Sequence, residues 1–287
     1  MDRGARFLVL ALAALLATAC TRLAYMSASL AYSSAAPMLG WMVDDYVGLD
    51  PAQKEWVGAR IERAMAWHRA RELPRYRGFL ASVAERSSRP YSEAEVAAAW
   101  GDVRADYDRV VEHVLPDVAE LFARLDERQL AHLEHRFAED DERLVKESTK
   151  GTLEERRVQS AKRVASHIEE WVGGLSPAQR AIVYRHEAAG VPMVEERLAD
   201  RRYRQTEILA LARTHDRDRI AAGLRRVLLE SDAWRRPEYV AKLRQRDAAN
   251  FRMIAELSAT LSPAQRAHLQ ERIRDYIRDI TRLAASD

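Results

Sequence analysis

The chain has 287 residues, 47% hydrophobic and 31% charged, which is enough to build one elongated domain or two compact ones around a real core. Its 46 basic and 44 acidic side chains leave a formal charge of only +2, excluding the broad positive field that recruits nucleic acid. Gly (11) and Pro (9) are scarce, which disfavours a β-rich fold, and a single cysteine excludes any disulfide framework.

The first elements concern export. Met1 to Arg6 is short and basic, Phe7 to Ala17 is an apolar run too short to span a bilayer, and small residues follow. That order predicts a signal peptide over residues 1–19. Leu16-Ala17-Thr18-Ala19-Cys20 resembles the bacterial lipobox, and the resemblance implies cleavage before Cys20 and acylation of its thiol. Each buried methylene of such an anchor contributes roughly 0.8 kcal/mol. Thr21 stands where inner-membrane lipoproteins usually carry aspartate, so the expected place is the outer membrane, facing the periplasm. Removal of residues 1–19 takes Arg3, Arg6 and Asp2 with it, leaving 44 basic against 43 acidic residues. Residues 20–40 are then a lipidated tether, and 41–287 a single all-helical domain.

From Asp50 onward helical signals follow one another with no credible strand. Asp50-Pro51 opens a helix that Pro74 is expected to kink or end. Ser92-x-x-Glu95 is a capping box, followed by an apolar stripe of Val96, Trp100, Val103, Tyr107, Val110, Val111 and Val114, expected to be buried and interrupted at Pro116. A charged helix runs from about Asp126 to Glu147, and Thr152-x-x-Glu155 opens the next. Breaks are expected at Gly173-Gly174, Gly190-Val191-Pro192 and Thr214-His215-Asp216. The last helix, from Pro263, carries Leu269, Ile273, Tyr276, Ile277, Ile280 and Leu283 on one face. The fold class is all-α, an elongated multi-helix bundle or a curved layer of long antiparallel helices.

One pentad occurs four times: Leu49-Asp50-Pro51-Ala52-Gln53, Leu125-Asp126-Glu127-Arg128-Gln129, Leu175-Ser176-Pro177-Ala178-Gln179 and Leu261-Ser262-Pro263-Ala264-Gln265. Ser or Asp as N-cap and Gln53, Gln129, Gln179 or Gln265 at the third helical position account for every residue type as helix caps. An acid precedes each leucine by five residues: Asp44, Glu120, Glu170 and Glu256. The pentads also resemble the Leu-Thr-x-x-Gln repeats of periplasmic proteins of the Spy and CpxP type. That resemblance implies an all-α protein that cradles unfolded clients.

The densest stretch is Trp41 to Tyr76, with Asp44-Asp45-Tyr46, Trp67-His68-Arg69 and Glu72-Leu73-Pro74. Placed just after a lipobox cysteine, it resembles a family of uncharacterised proteobacterial lipoproteins, which implies location and helical build but no activity. Trp41, Asp44, Asp45, Tyr46, Trp67, His68, Arg69, Glu72 and Tyr76 are the candidate binding surface. His68 and Glu72, at i,i+4, have the spacing of an acid–base pair or of a structural hydrogen bond. His132 and His135 have a spacing that holds zinc, but no third ligand can be named. No phosphate-cradling or nucleophile motif is present, so no catalytic residue, metal or cofactor is assigned. Arg201-Arg202-Tyr203-Arg204 and Arg235-Arg236 suit an anionic envelope surface. The expected function is a non-enzymatic envelope-maintenance or chaperone-like module, held to the membrane through Cys20, with envelope or unfolded periplasmic proteins as partners and no nucleic acid. The alternative is an enzyme or ligand-binding protein acting on cell-wall or lipid material.

Overall fold

The computed structural model describes Tyr32 and residues 34–285. The expected signal peptide, the acylated Cys20 and most of the tether therefore lie outside the described residues. Among those described, the chain is all-α, a multi-helix bundle without a strand. The helices are α1 (Ala35–Val47), α2 (Pro51–Trp67), α3 (Leu73–Arg86), α4 (Glu93–Ala123), α5 (Glu127–Thr149), α6 (Leu153–Val172), α7 (Pro177–Ala189), α8 (Val194–Ala212), α9 (Arg217–Leu229), α10 (Pro237–Thr260) and α11 (Pro263–Ala285). None is long and apolar enough to cross a membrane.

The chain divides into two compact units rather than the one body expected over 41–287. The first gathers residues up to Glu72, Arg104–Ser148 and Val194–Arg236, and the second gathers Leu73–Val103, Thr149–Met193 and the segment from Pro237 onward. In the first unit α1 buries Leu39, Val43 and Val47, steps of four that make one stripe. That stripe meets Val57 and Ile61 of α2, Val111 and Phe122 of α4, Leu130 and Leu133 of α5, and Ile208 and Leu224 of α8 and α9. Each such side chain contributes about 1.5–3 kcal/mol when fully buried. The core of the second unit is smaller: Ala165 and Val172 of α6, Leu175, Ile182 and Val183 around α7, and Met253 and Leu257 of α10. The apolar face expected on the last helix is turned inward through Ile273, Ile280 and Leu283, and Tyr276 stacks on Trp171 at 5.0 Å.

Both prolines expected to break helices are absorbed. Pro116 lies inside an unbroken α4. Before Pro74 the helix widens to a π-turn over His68–Glu72 and then continues as α3. A proline ring clashes with the carbonyl four residues back, and a π-turn relieves that clash without ending the helix. The stripe expected on α4 divides. Val110, Val111 and Val114 are buried in the first unit, whereas Trp100 and Val103, in the second, are 44% and 41% exposed.

Candidate functional site

Every pentad closes its capping box. The side chains of Asp50, Asp126, Ser176 and Ser262 accept the backbone N–H of Gln53 (2.8 Å), Gln129 (2.8 Å), Gln179 (3.2 Å) and Gln265 (3.2 Å). Each glutamine carbonyl accepts the N–H of its own cap residue in return, at 2.9–3.2 Å. The glutamines have a second half, and it joins the pentads in pairs. In the first unit Gln129 Nε2 donates to Gln53 Oε1 (2.6 Å) and Gln53 Nε2 to Gln129 Oε1 (3.2 Å). In the second unit Gln179 and Gln265 exchange the same two bonds, both 2.9 Å. Three of the four remaining amide hydrogens reach carbonyls at the turns: Gln129 to Gly48 (3.1 Å), Gln265 to Gly174 (2.9 Å) and Gln179 to Thr260 (3.0 Å).

The two joints match in further detail. Gly48 and Gly173 end α1 and α6 with φ of 67° and 79°, a left-handed turn that a Cβ would strain. The ring of His132, three residues after Gln129, lies against Gly48, and that of His268, three after Gln265, lies against Gly173. Asp44 accepts the N–H of Leu49 (3.0 Å) and pairs with Lys54 (2.9 Å). Glu169 accepts the N–H of Leu175 (3.3 Å) and pairs with Arg180 (2.7 Å). The matching acid is Glu169 and not the expected Glu170, because the second linker has one more glycine. The Gln-x-x-His spacing was the missed signal for the histidines.

Only glutamine fits this joint, since glutamate lacks the donors and asparagine lacks the reach. Gln129→Glu is expected to lose about 1–3 kcal/mol by setting carboxylate oxygens against Gln53 Oε1 and the Gly48 carbonyl. Gln53, only partly buried, should lose less on the same change, and urea midpoints of the two variants measure the difference.

The residues expected to form one exposed surface do not do so. His68 and Glu72 are buried at 1% and 2% exposure, and Tyr46 is buried as well. His68 Nδ1 lies 3.0 Å from the Tyr32 hydroxyl, which also donates to the Met65 carbonyl (3.3 Å). Burial pulls the His68 pKa down from 6.5 to about 4, and raises that of Tyr32 to about 12 against the pull of Arg69. Glu72 accepts from Arg109 at 3.1 Å. Trp67 is covered by His113, stacked at 3.7 Å and 7° between planes. Asp45 pairs with Arg136 at 2.6 Å, and Arg69 lies over Tyr32 at 5.9 Å. Tyr76 falls in the other unit. Trp41 alone is widely open, at 66%.

Three arginines of the basic clusters, Arg201, Arg204 and Arg235, turn inward, while Arg202, Tyr203 and Arg236 stay exposed. Arg201 is 1% exposed, donating its Nε–H to Asp141 (2.6 Å) and lying within ion-pair distance of Asp140 through Nη2 (3.2 Å). Arg202 and Gln205 complete the Asp141 carboxylate, each at 3.1 Å. Tyr46 donates its hydroxyl to Asp140, and burial together with that carboxylate pushes the phenol pKa up. Beside them Asp200 holds Arg204 (3.0 Å) and Arg235 (2.7 Å). Buried charges persist only when paired and hydrogen-bonded in this way. His132 gives its Nε2 to the Asp45 carbonyl (3.0 Å), and exposed His135 pairs with Glu139 on its own helix (3.2 Å). Among the described residues no three or more His, Cys, Asp or Glu gather in a metal-holding arrangement. A hollow of about 520 Å³ lies beside Gln179 and Gln265.

A family model described as a family of unknown function (DUF6279) matches residues 45–240. No curated protein and no solved structure matches the chain.

Proposed function

We propose that this chain, which belongs to the DUF6279 family of unknown function, is an envelope lipoprotein anchored through Cys20 in the outer membrane that binds other proteins without chemistry of its own. The lipobox-like Leu16 to Cys20 and Thr21 support the place. The observation that carries the activity is a contrast. Side chains able to do acid–base work, His68, Glu72, Asp140 and Asp141, are consumed in internal pairs, while large apolar side chains stand open among charges. In the second unit Trp100 and Val103 lie at i,i+3 on one face of α4. The start of that helix is held to α10 by the Tyr91 N–H to Ser258 bond (2.8 Å) and by Arg252 with Glu93 (3.6 Å). Ile254 of α10 is open at 42%. Isolated aromatic anchors ringed by charge suit weak, exchanging contacts with extended or unfolded chains.

In-cell photo-crosslinking with the probe at Trp100, and a control at Arg274, tests the proposal. A ladder of many partners at Trp100 alone supports a chaperone-like surface, and one discrete adduct a dedicated partner. No protein adduct at Trp100 sinks the binding module and returns attention to a small ligand of cell-wall or lipid origin.

A further inference from the structure

The face of α1 that does not pack against the first unit points to a partner that is not a protein. Ala35, Leu39, Val43 and Val47 take the inner side of this helix, and Met38 and Trp41, at i,i+3, stand outside at 42% and 66% exposure. Pro37 beside them is exposed as well. No Asp, Glu, Lys or Arg occurs anywhere from Leu23 to Val43, so no charged residue of this stretch rings the patch. That sets it apart from the Trp100 face, which Asp102 and Arg104 flank in sequence. A tryptophan with an aliphatic neighbour and no charge suits the headgroup level of a bilayer, where the indole body is dehydrated and its N–H stays wet.

The position of the patch along the chain names the occupant. Tyr32 is held to the first unit through its hydroxyl, which bonds the Met65 carbonyl and His68. Twelve residue steps separate it from Cys20, and at ~3.3–3.6 Å per residue they reach about 40 Å at most. A lipid on Cys20 thus keeps α1 within one short tether of the leaflet surface, with Arg22 as its only charged residue. We propose that the Met38–Trp41 face of α1 is a membrane-interface contact, lying at the headgroup level of the same bilayer that holds the acylated Cys20. The inference rests on that acylation. With no basic residue in the patch, the contact takes phospholipid of any headgroup and does not depend on salt.

Acylation also supplies the test, because the lipidated chain keeps no thiol and a single introduced cysteine is uniquely reactive. The full lipidated chain carrying Trp41→Cys or Met38→Cys is labelled with an environment-sensitive fluorophore and reconstituted in phosphatidylethanolamine–phosphatidylglycerol vesicles. Arg128→Cys, exposed on α5 of the same unit, is the control. Labels at 38 and 41 should be blue-shifted and quenched by shallow nitroxide lipids several-fold more strongly than at 128, equally in low and high salt. Chain that floats with the vesicles while its labels at 38 and 41 stay water-like overturns the inference and leaves the anchor standing. Chain that fails to float, its N-terminal peptide bearing no lipid mass, overturns the anchor and the inference together. Met38→Cys keeps the experiment decisive should Trp41→Cys fail to fold.

Discussion

Arg201→Ala is expected to lose about 3–5 kcal/mol of folding stability. The guanidinium is 1% exposed and is shared between two neighbouring carboxylates, at 2.6 Å to Asp141 and 3.2 Å to Asp140. Removing it takes away the one buried cation shared by the two carboxylates in a site water hardly reaches, leaving Asp141 with exposed Arg202 (3.1 Å) and Gln205, and Asp140 with exposed Arg143 (3.3 Å) and the Tyr46 hydroxyl. Equilibrium urea unfolding reads the loss directly. The physical cause is separable from simple loss of volume. Arg201→Met in a background of Asp140→Asn and Asp141→Asn should regain most of the stability, because no uncompensated charge then remains. If Arg201→Met alone were as stable as the parent, the ion cluster would be incidental to the fold.

The second large effect concerns pH. His68 is buried as the neutral ring, with its folded pKa near 4 against an ordinary 6.5. Between those two values the unfolded chain binds the proton that the folded chain refuses, so stability is complete above about pH 6.5 and falls as pH drops toward 4. The gap corresponds to about 3 kcal/mol in full, of which about 2 kcal/mol should be gone by pH 5. Urea midpoints at pH 7, 6 and 5 measure this above the range where carboxylates titrate. His68→Gln should make the profile shallower across that window, His113 supplying a remaining slope because burial lowers its pKa too, while lowering stability at pH 7, since the Tyr32 hydroxyl is left with an altered partner. A parent and variant that lose stability in parallel between pH 7 and 5 would assign the acid sensitivity to other groups.

What could be read from the residues was local. Caps are encoded within four positions, so the boxes at Asp50, Asp126, Ser176 and Ser262 were legible, as were the helices they open. The inward stripe of α11 was legible for the same reason: Ile273, Ile280 and Leu283 repeat at helical spacing. Pairing of the pentads was not, because Gln53 and Gln129 meet only through the fold, and a glutamine that caps looks the same as one that also bridges. Periodicity misjudged Trp100 and Val103, since an apolar stripe states which face could be buried and not whether a neighbour arrives to cover it. The Trp41–Tyr76 stretch misled most. Costly residue types gathered there suggested a surface, but His68 and Glu72 are interior polar groups, His68 meeting Tyr32 through Nδ1 and Glu72 pairing with Arg109. Likewise Arg201 and Arg204, read as part of a cluster suited to an anionic surface, are buried against Asp140, Asp141 and Asp200.

The interleaving of the two units governs the order in which the chain can mature. The first unit needs the segment ending at Arg236, and the second needs the residues that begin at Pro237. As synthesis proceeds from the amino end, α1 and α2 wait for α8 and α9 before their core closes, and Gln179 waits 86 residues for Gln265. Contacts of such long separation are slow to form, because loop closure must precede any gain from packing. Helices of the second unit that are finished locally thus stay unsheltered until α11 is made, and a chain released before Gln265 would be left with its second glutamine clasp unfastened.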